Sequence, residues 1–203
     1  MLYNKDYRKG AVCMPPKPKI TREMILEAAF EIVRNEGIKN VNARNISKKL
    51  SCSTQPVLYY FSAIEEIKDE VYKKVDEYHS DYIMNIQGRF ENPMLEIGLL
   101  YIKFAAEESN LFKFLFQSNK YVNKNFDELM AHEEIKPILE ILSQEIDVEI
   151  EIAKEIFTSI FLLVHGLASM LANNSMVYDE EYIIKIIGMS FVGIVSSFKG
   201  ESL

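Results

Sequence analysis

Thr54, Gln55, Tyr59 and Tyr60 fall within one short stretch of this 203-residue chain, and their types and spacing favour hydrogen bonding to a nucleic acid. A glutamine amide matches the paired acceptor and donor on an adenine edge, while hydroxyls and phenols reach bases or phosphate oxygens. Ser53 and Pro56 belong to the same stretch, and Val57 and Leu58 face either a core or a thymine methyl. Just upstream, Asn42 and Arg44 stand at the start of a segment whose backbone donors and guanidinium favour an anion. Nothing else in the chain assembles a reaction centre. Cys13 and Cys52 are isolated, and His79, His132 and His165 define neither a metal-ligand spacing nor a triad. The chain has no Gly-rich phosphate loop and no pair of Glu-x-x-His motifs. No catalytic residue, metal or cofactor is expected.

The elements that must position these groups read as helices throughout. Lys5, Arg8, Lys9 and Lys17 with Pro15, Pro16 and Pro18 make residues 1–19 a flexible basic arm. Thr21 caps a first helix with Ile25, Ala28, Ala29, Ile32 and Val33 at helical spacing, and Gly37 ends it. Asn42 caps a second helix to residue 50, Ser53 caps a third, and Pro56 lies in its first turn, where no intrahelical donor is lost. Ser62 and Glu65 form a capping box for a long fourth helix. Asn92-Pro93 opens a helix to residue 104, Asn110 a short aromatic one to 116, and another spans 125–144 with a kink at Pro137. Two long apolar helices, about 148–172 and 180–198, close the chain, with Asp179 as a cap. The expectation is an all-α protein of about nine helices, with no alternating strand pattern and no repeat.

The net charge of −7 opposes phosphate binding until it is divided along the chain. Residues 1–60 hold 11 Lys and Arg against 5 Asp and Glu, and residues 61–203 hold 12 against 25. A basic head of +6 on an acidic body of −13 fits a nucleic-acid module attached to a regulatory domain. Two cysteines are too few for a disulfide framework, and the first residues lack a secretory apolar run, which points to the cytoplasm.

Residues 20–67 resemble the DNA-binding domain of TetR-family transcriptional regulators, on Ile25, Ala28, Ala29, Gly37, Ile46, Leu50, Ser53, Tyr60, Phe61, Glu65 and Glu66. Downstream, only the helical pattern and His165-Gly166-Leu167-Ala168 look familiar. Two positions depart from the family pattern: Leu58 replaces a DNA-contacting tyrosine, and Ile64 replaces a phosphate-contacting lysine that Lys68 could partly substitute. The resemblance implies a three-helix domain at 20–67, with a helix-turn-helix, followed by a regulatory and dimerisation domain at 68–203. It also implies a homodimer on a palindromic operator and release by a small-molecule effector, with repression the commoner outcome.

For the effector, the aromatic and sulfur-bearing Tyr101, Phe104, Phe112, Phe116, Tyr121, Phe126 and Met130, opposite His165 and Met170, line a pocket for an apolar or aromatic molecule or else form plain core. For the dimer, the last two helices are apolar nearly all round, with Phe157, Phe161, Val164, Ile187, Phe191 and Ile194 as interface candidates. Membrane spans are the competing reading of those helices. Against them stand the 17 residues of 156–172, short of the usual ~20, the polar Thr158, Ser159, His165 and Ser169, and the charge of Lys185. For the protein as a whole, a helical adaptor without DNA binding and a helical-bundle enzyme compete with the regulator reading.

Overall fold

Side chains that satisfy orphan backbone donors start four of the helices. Thr21 Oγ1 accepts from the Met24 amide (3.2 Å), Asn42 Oδ1 from Asn45 (2.9 Å), Asn92 Oδ1 from Met94 (2.8 Å), and Asp179 Oδ1 from Tyr182 (3.1 Å). Each such cap stabilises its helix by about 1 kcal/mol. The structure, a computed structural model, describes residues 20–118 and 135–200. The expected arm at 1–19 and the candidates Tyr121, Phe126 and Met130 lie outside the described residues, as does His132.

Among the described residues every regular element is helical. They are α1 (Arg22–Glu36), a 3-10 turn (Ile38–Asn40), α2 (Ala43–Lys49), α3 (Gln55–Tyr60), α4 (Ile64–Met84), α5 (Pro93–Glu107), α6 (Ser109–Phe116), α7 (Lys136–Ile146), α8 (Ile150–Ala172) and α9 (Glu180–Lys199). Gly37 terminates α1 at φ +84°, a conformation that side chains with a Cβ rarely adopt.

Several boundaries differ from the sequence expectation, each for a local reason. The N-cap of α3 is Thr54 rather than Ser53, and its side chain accepts no capping bond. The amide and hydroxyl of Ser62 both donate to Glu66 (2.9 and 3.1 Å), not Glu65, because α4 begins at Ile64 and Glu66 is the residue that reaches back. Pro137 lies in the first turn of α7, where its missing N–H is harmless, so it starts a helix instead of kinking one. Helix α8 extends over 23 residues, so its length no longer separates it from a membrane span. Both α8 and α9 are long and apolar enough to cross a bilayer. Their interruption by Glu155, Ser159 and Lys185 still argues against one.

One apolar core runs through the elements. It passes from Ile25, Ala29 and Val33 in α1, through Ile67, Val71 and Val75 in α4, to Ile102 and Phe104 in α5 and Leu111 and Leu115 in α6. It ends on Ala168 and Leu171 of α8 and Ile183 of α9. Helix α5 is central and packs on α4, α6, α8 and α9.

Polar ties fix the first helix to this body. Arg22 pairs with Glu70 and Lys74 with Glu27, both joining α1 to α4. Arg34 forms a two-pronged ion pair with Glu108 at the α5–α6 corner, one prong at 2.8 Å, and Tyr78 Oη lies 3.4 Å from the same carboxylate. Asn110 Nδ2 donates to the Arg34 carbonyl (3.0 Å). The buried Glu96 carboxylate accepts from the amides of Gln87 (2.7 Å) and Arg89 (3.0 Å), which satisfies it and holds the loop between α4 and α5.

Candidate functional site

Helix α3 divides its side chains sharply. Val57 is 2% exposed and joins the core with Phe61, whereas Leu58 is 66% exposed and Tyr59 80%. Thr54, Gln55, Leu58 and Tyr59 therefore share an outward face one turn long. Tyr60 is half-buried, packs against the core and meets Tyr59 edge to face at 5.1 Å. Pro56 is half-buried beneath the same face, and Ser53 is exposed at its entrance.

The electrostatics of this end are one-sided. Lys39, Arg44, Lys48 and Lys49 are all exposed, and residues 37–64 contain no Asp or Glu. The acidic excess of the chain lies elsewhere, so this surface presents positive charge to a polyanion. Two of the expected contact residues are already engaged. Asn42 uses Oδ1 as the α2 cap and donates Nδ2 to the Asn40 carbonyl (3.2 Å), and Lys68 pairs with Glu65 at 3.5 Å. What remains open to an anion near Asn42 is Arg44 and the first backbone donors of α2.

The second feature is a partly open cavity of about 240 Å³ bordered by α4, α5, α7, α8 and α9. It is lined by Met94, Leu95, Gly98 and Tyr101 of α5, Leu142 of α7, Ile156, Phe157, Ile160, Phe161 and Val164 of α8, and Ile187 and Phe191 of α9, among others. Among the described residues the polar side chains in the lining are Asn92 and Tyr101, and none of the lining residues is charged.

The expected effector residues are divided by this arrangement. Tyr101 lines the cavity, and its hydroxyl shares a 2.8 Å hydrogen bond with His165 Nδ1. Phe104 and Phe112 are fully buried beside the cavity in a packed aromatic cluster that includes Phe116 and His165. Met170 is exposed on the outer side of α8. The dimer candidates are placed unexpectedly too: Phe157, Phe161, Val164, Ile187 and Phe191 line the cavity, and Ile194 packs on the neighbouring cluster around Leu142. The outward apolar residues away from the cavity are instead Leu162 and Met170 on α8 and Tyr182 and Met189 on α9, while Val192 is exposed at the cavity's edge. Sequence reasoning missed Ile156 and Ile160 because a helix apolar all round carries no signal of which side faces inward, and it missed Met94, Leu95 and Leu142 because an apolar face toward a cavity reads the same as one toward packed core.

His79 stands at the centre of the aromatic cluster, with ring centroids 4.9 Å from Phe104, 5.2 Å from Phe116 and 5.4 Å from Tyr101. Its Nε2 is buried with no hydrogen-bond partner among the described residues. Burial pushes its pKa down from 6.5 to about 4. The unfolded chain therefore binds a proton that the folded chain refuses, and the stability held above pH 6.5 is lost as pH falls toward 4, by up to about 3 kcal/mol. His79→Phe keeps a ring in place and is expected to remove that part of the pH dependence in urea-melt stabilities, while His165 and the carboxylates titrate as before. Parallel curves for the two proteins would show that His79 is not buried in its neutral form.

No family model matches the chain. Over 104 residues it is 25% identical to YobS of Bacillus subtilis strain 168, described as an uncharacterized HTH-type transcriptional regulator; the match covers 49% of this chain and 53% of YobS. The chain thus spans about half the length of that curated relative. A solved TetR-family transcriptional regulator from Vibrio parahaemolyticus superposes with a TM-score of 0.59 at 16% identity, over 84% of this chain and 96% of that one. The chain has the TetR-family fold. In that fold α2 and α3 form a helix-turn-helix, and the face of Thr54, Gln55, Leu58 and Tyr59 is turned outward. The cavity lies among α5, α7, α8 and α9, and α4 runs from beside α3 to the cavity wall at Ile83.

Proposed function

We propose that this protein is a TetR-family transcriptional regulator, most simply a repressor, that binds a palindromic operator as a homodimer and releases it when an uncharged apolar or aromatic molecule enters the cavity. The single observation that carries the DNA-binding half is the outward face of Thr54, Gln55, Leu58 and Tyr59 on α3, with exposed Lys39, Arg44, Lys48 and Lys49 on the 3-10 turn and α2 that precede it and no carboxylate from 37 to 64. Base-edge groups that follow a basic, acid-free segment fit major-groove docking. Residues 20–67 act as the reading head and 68–203 as the regulatory and dimerisation body. The cavity supports the effector half: with Asn92 and Tyr101 as its polar lining, it offers no counter-charge to an ion. The outward strip of α8 and α9 supports the dimer, since large apolar side chains there gain burial only against a partner. A chain working on DNA in this way works in the cytoplasm and performs no catalysis.

Selection from a random duplex pool tests the reading. The protein is expected to enrich a palindromic sequence, and Lys48→Ala with Lys49→Ala to weaken binding to it and lower the salt slope by about 2, roughly 0.9 for each phosphate no longer neutralised. Native mass spectrometry of the purified protein is expected to find a neutral apolar compound retained. A protein that enriches no sequence at any salt concentration would be an adaptor, not a regulator.

A further inference from the structure

We propose that Leu58 reads the 5-methyl group of a thymine in the major groove, which makes it a specificity-determining residue of α3. The inference rests on the DNA-binding reading and deepens it.

Val57 and Leu58 are adjacent apolar residues on a short helix, and the fold treats them oppositely. Val57 takes the core position, whereas Leu58 keeps two-thirds of its surface in water and takes no part in the apolar core. Leu58 therefore contributes little to the folded monomer that a polar residue could not. It is the aliphatic member of a face otherwise made of Thr54, Gln55 and Tyr59. Gln55 lies three residues earlier on that face, roughly 4.5 Å along the helix axis, so the two side chains project side by side and can reach base edges of one groove together.

The chemistry of the groove then selects the base. Thymine alone presents a methyl group there, whereas cytosine presents an amine donor and both purines present polar atoms. Leucine against any of those would desolvate a polar edge without a partner, while against thymine it buries apolar surface on both sides. Leucine has no donor for phosphate, so the backbone is not its target. The absence of acidic residues from 37 to 64 lets this face approach DNA closely.

Replacing thymine by deoxyuridine deletes the methyl and nothing else, which gives a direct test. Using the duplex enriched from the random pool, each symmetric pair of thymines is replaced in turn and affinity is measured for the intact protein. One pair is expected to matter, by about fourfold per half-site and roughly fifteenfold for both together. Leu58→Ala, an exposed change that leaves the core intact, is expected to bind the thymine and uracil duplexes alike. The inference is overturned if the unaltered protein is indifferent to every replacement, or if Leu58→Ala retains the thymine preference, in which case another residue of the face, Thr54 or Tyr59, covers the methyl. An enriched duplex with no uracil effect sinks Leu58 alone, whereas a pool with no enriched duplex sinks the DNA-binding reading with it.

Discussion

A chain carrying Leu162→Glu and Met189→Glu is expected to sediment as a monomer and to bind the duplex enriched from the random pool at least about 100-fold more weakly. Both residues are more than half exposed on the outward strip of α8 and α9, and neither lines the cavity. The protomer fold therefore tolerates the change, and its helical circular-dichroism spectrum is expected to stay close to the original, while the melting temperature falls by the lost dimer contribution. In a symmetric dimer each carboxylate is desolvated twice, once in each copy, at a cost of several kcal/mol per ion. Each 1.4 kcal/mol is about tenfold in affinity, and a lone subunit also loses the second half-site as an intramolecular event. Sedimentation velocity and gel retardation read the two effects separately. A variant that remains dimeric places the interface elsewhere, and an unaltered protein that partitions into lipid vesicles would return α8 and α9 to the membrane reading.

Phe104→Ala is expected to destabilise the protein by about 3–5 kcal/mol, read as a lower midpoint in chemical denaturation. The Phe104 side chain is fully buried, and its ring meets His79, Tyr82 and Tyr78 of α4 at centroid distances of 4.9, 5.3 and 6.1 Å. Truncation leaves a void between α4 and α5 that surrounding rings cannot easily collapse into. Met170→Ala, by contrast, changes an exposed side chain and should fall within about 0.5 kcal/mol of no effect. The magnitude also decides what the aromatic cluster is. A cost below about 1 kcal/mol would mean that Phe104 lines space an effector fills, whereas the larger value makes the cluster core and leaves the neighbouring cavity as the effector site.

What was legible in the sequence was local. Thr21, Asn42, Asn92 and Asp179 announce helix starts because a capping bond spans only two or three residues, and all four make it. The helix-turn-helix follows from such signals. One-residue errors appeared where two candidates competed, as with Ser53 against Thr54 and Glu65 against Glu66. Long-range choices were not legible. Arg34 and Glu108 lie 74 residues apart, and neither carries a mark of its partner. The inward phase of α8 and α9 was invisible for a related reason: with apolar residues on every side, only the neighbours decide that Phe157 and Phe161 turn toward a cavity while Leu162 turns outward. Leu58 was ambiguous between core and groove until Val57 took the core position.

The placing of Ile83 and His79 on α4 gives that helix mechanical leverage. Ile83 is the α4 residue in the cavity wall, His79 is clamped among the rings of Tyr101, Phe104 and Phe116, and Ile67 is buried in the core near the start of α4. At about 1.5 Å per residue, Ile83 is roughly 6 Å from His79, and Ile67 roughly 18 Å on the other side. Under the proposed regulation, with the clamp as fulcrum, an effector that displaced Ile83 by ~1 Å would swing the Ile67 end by ~3 Å, on the order of one base-pair step. In the proposed dimer the two-fold axis would turn that swing into opposite displacements of the two arms, so that a small wedge would put both α3 helices out of step with their grooves.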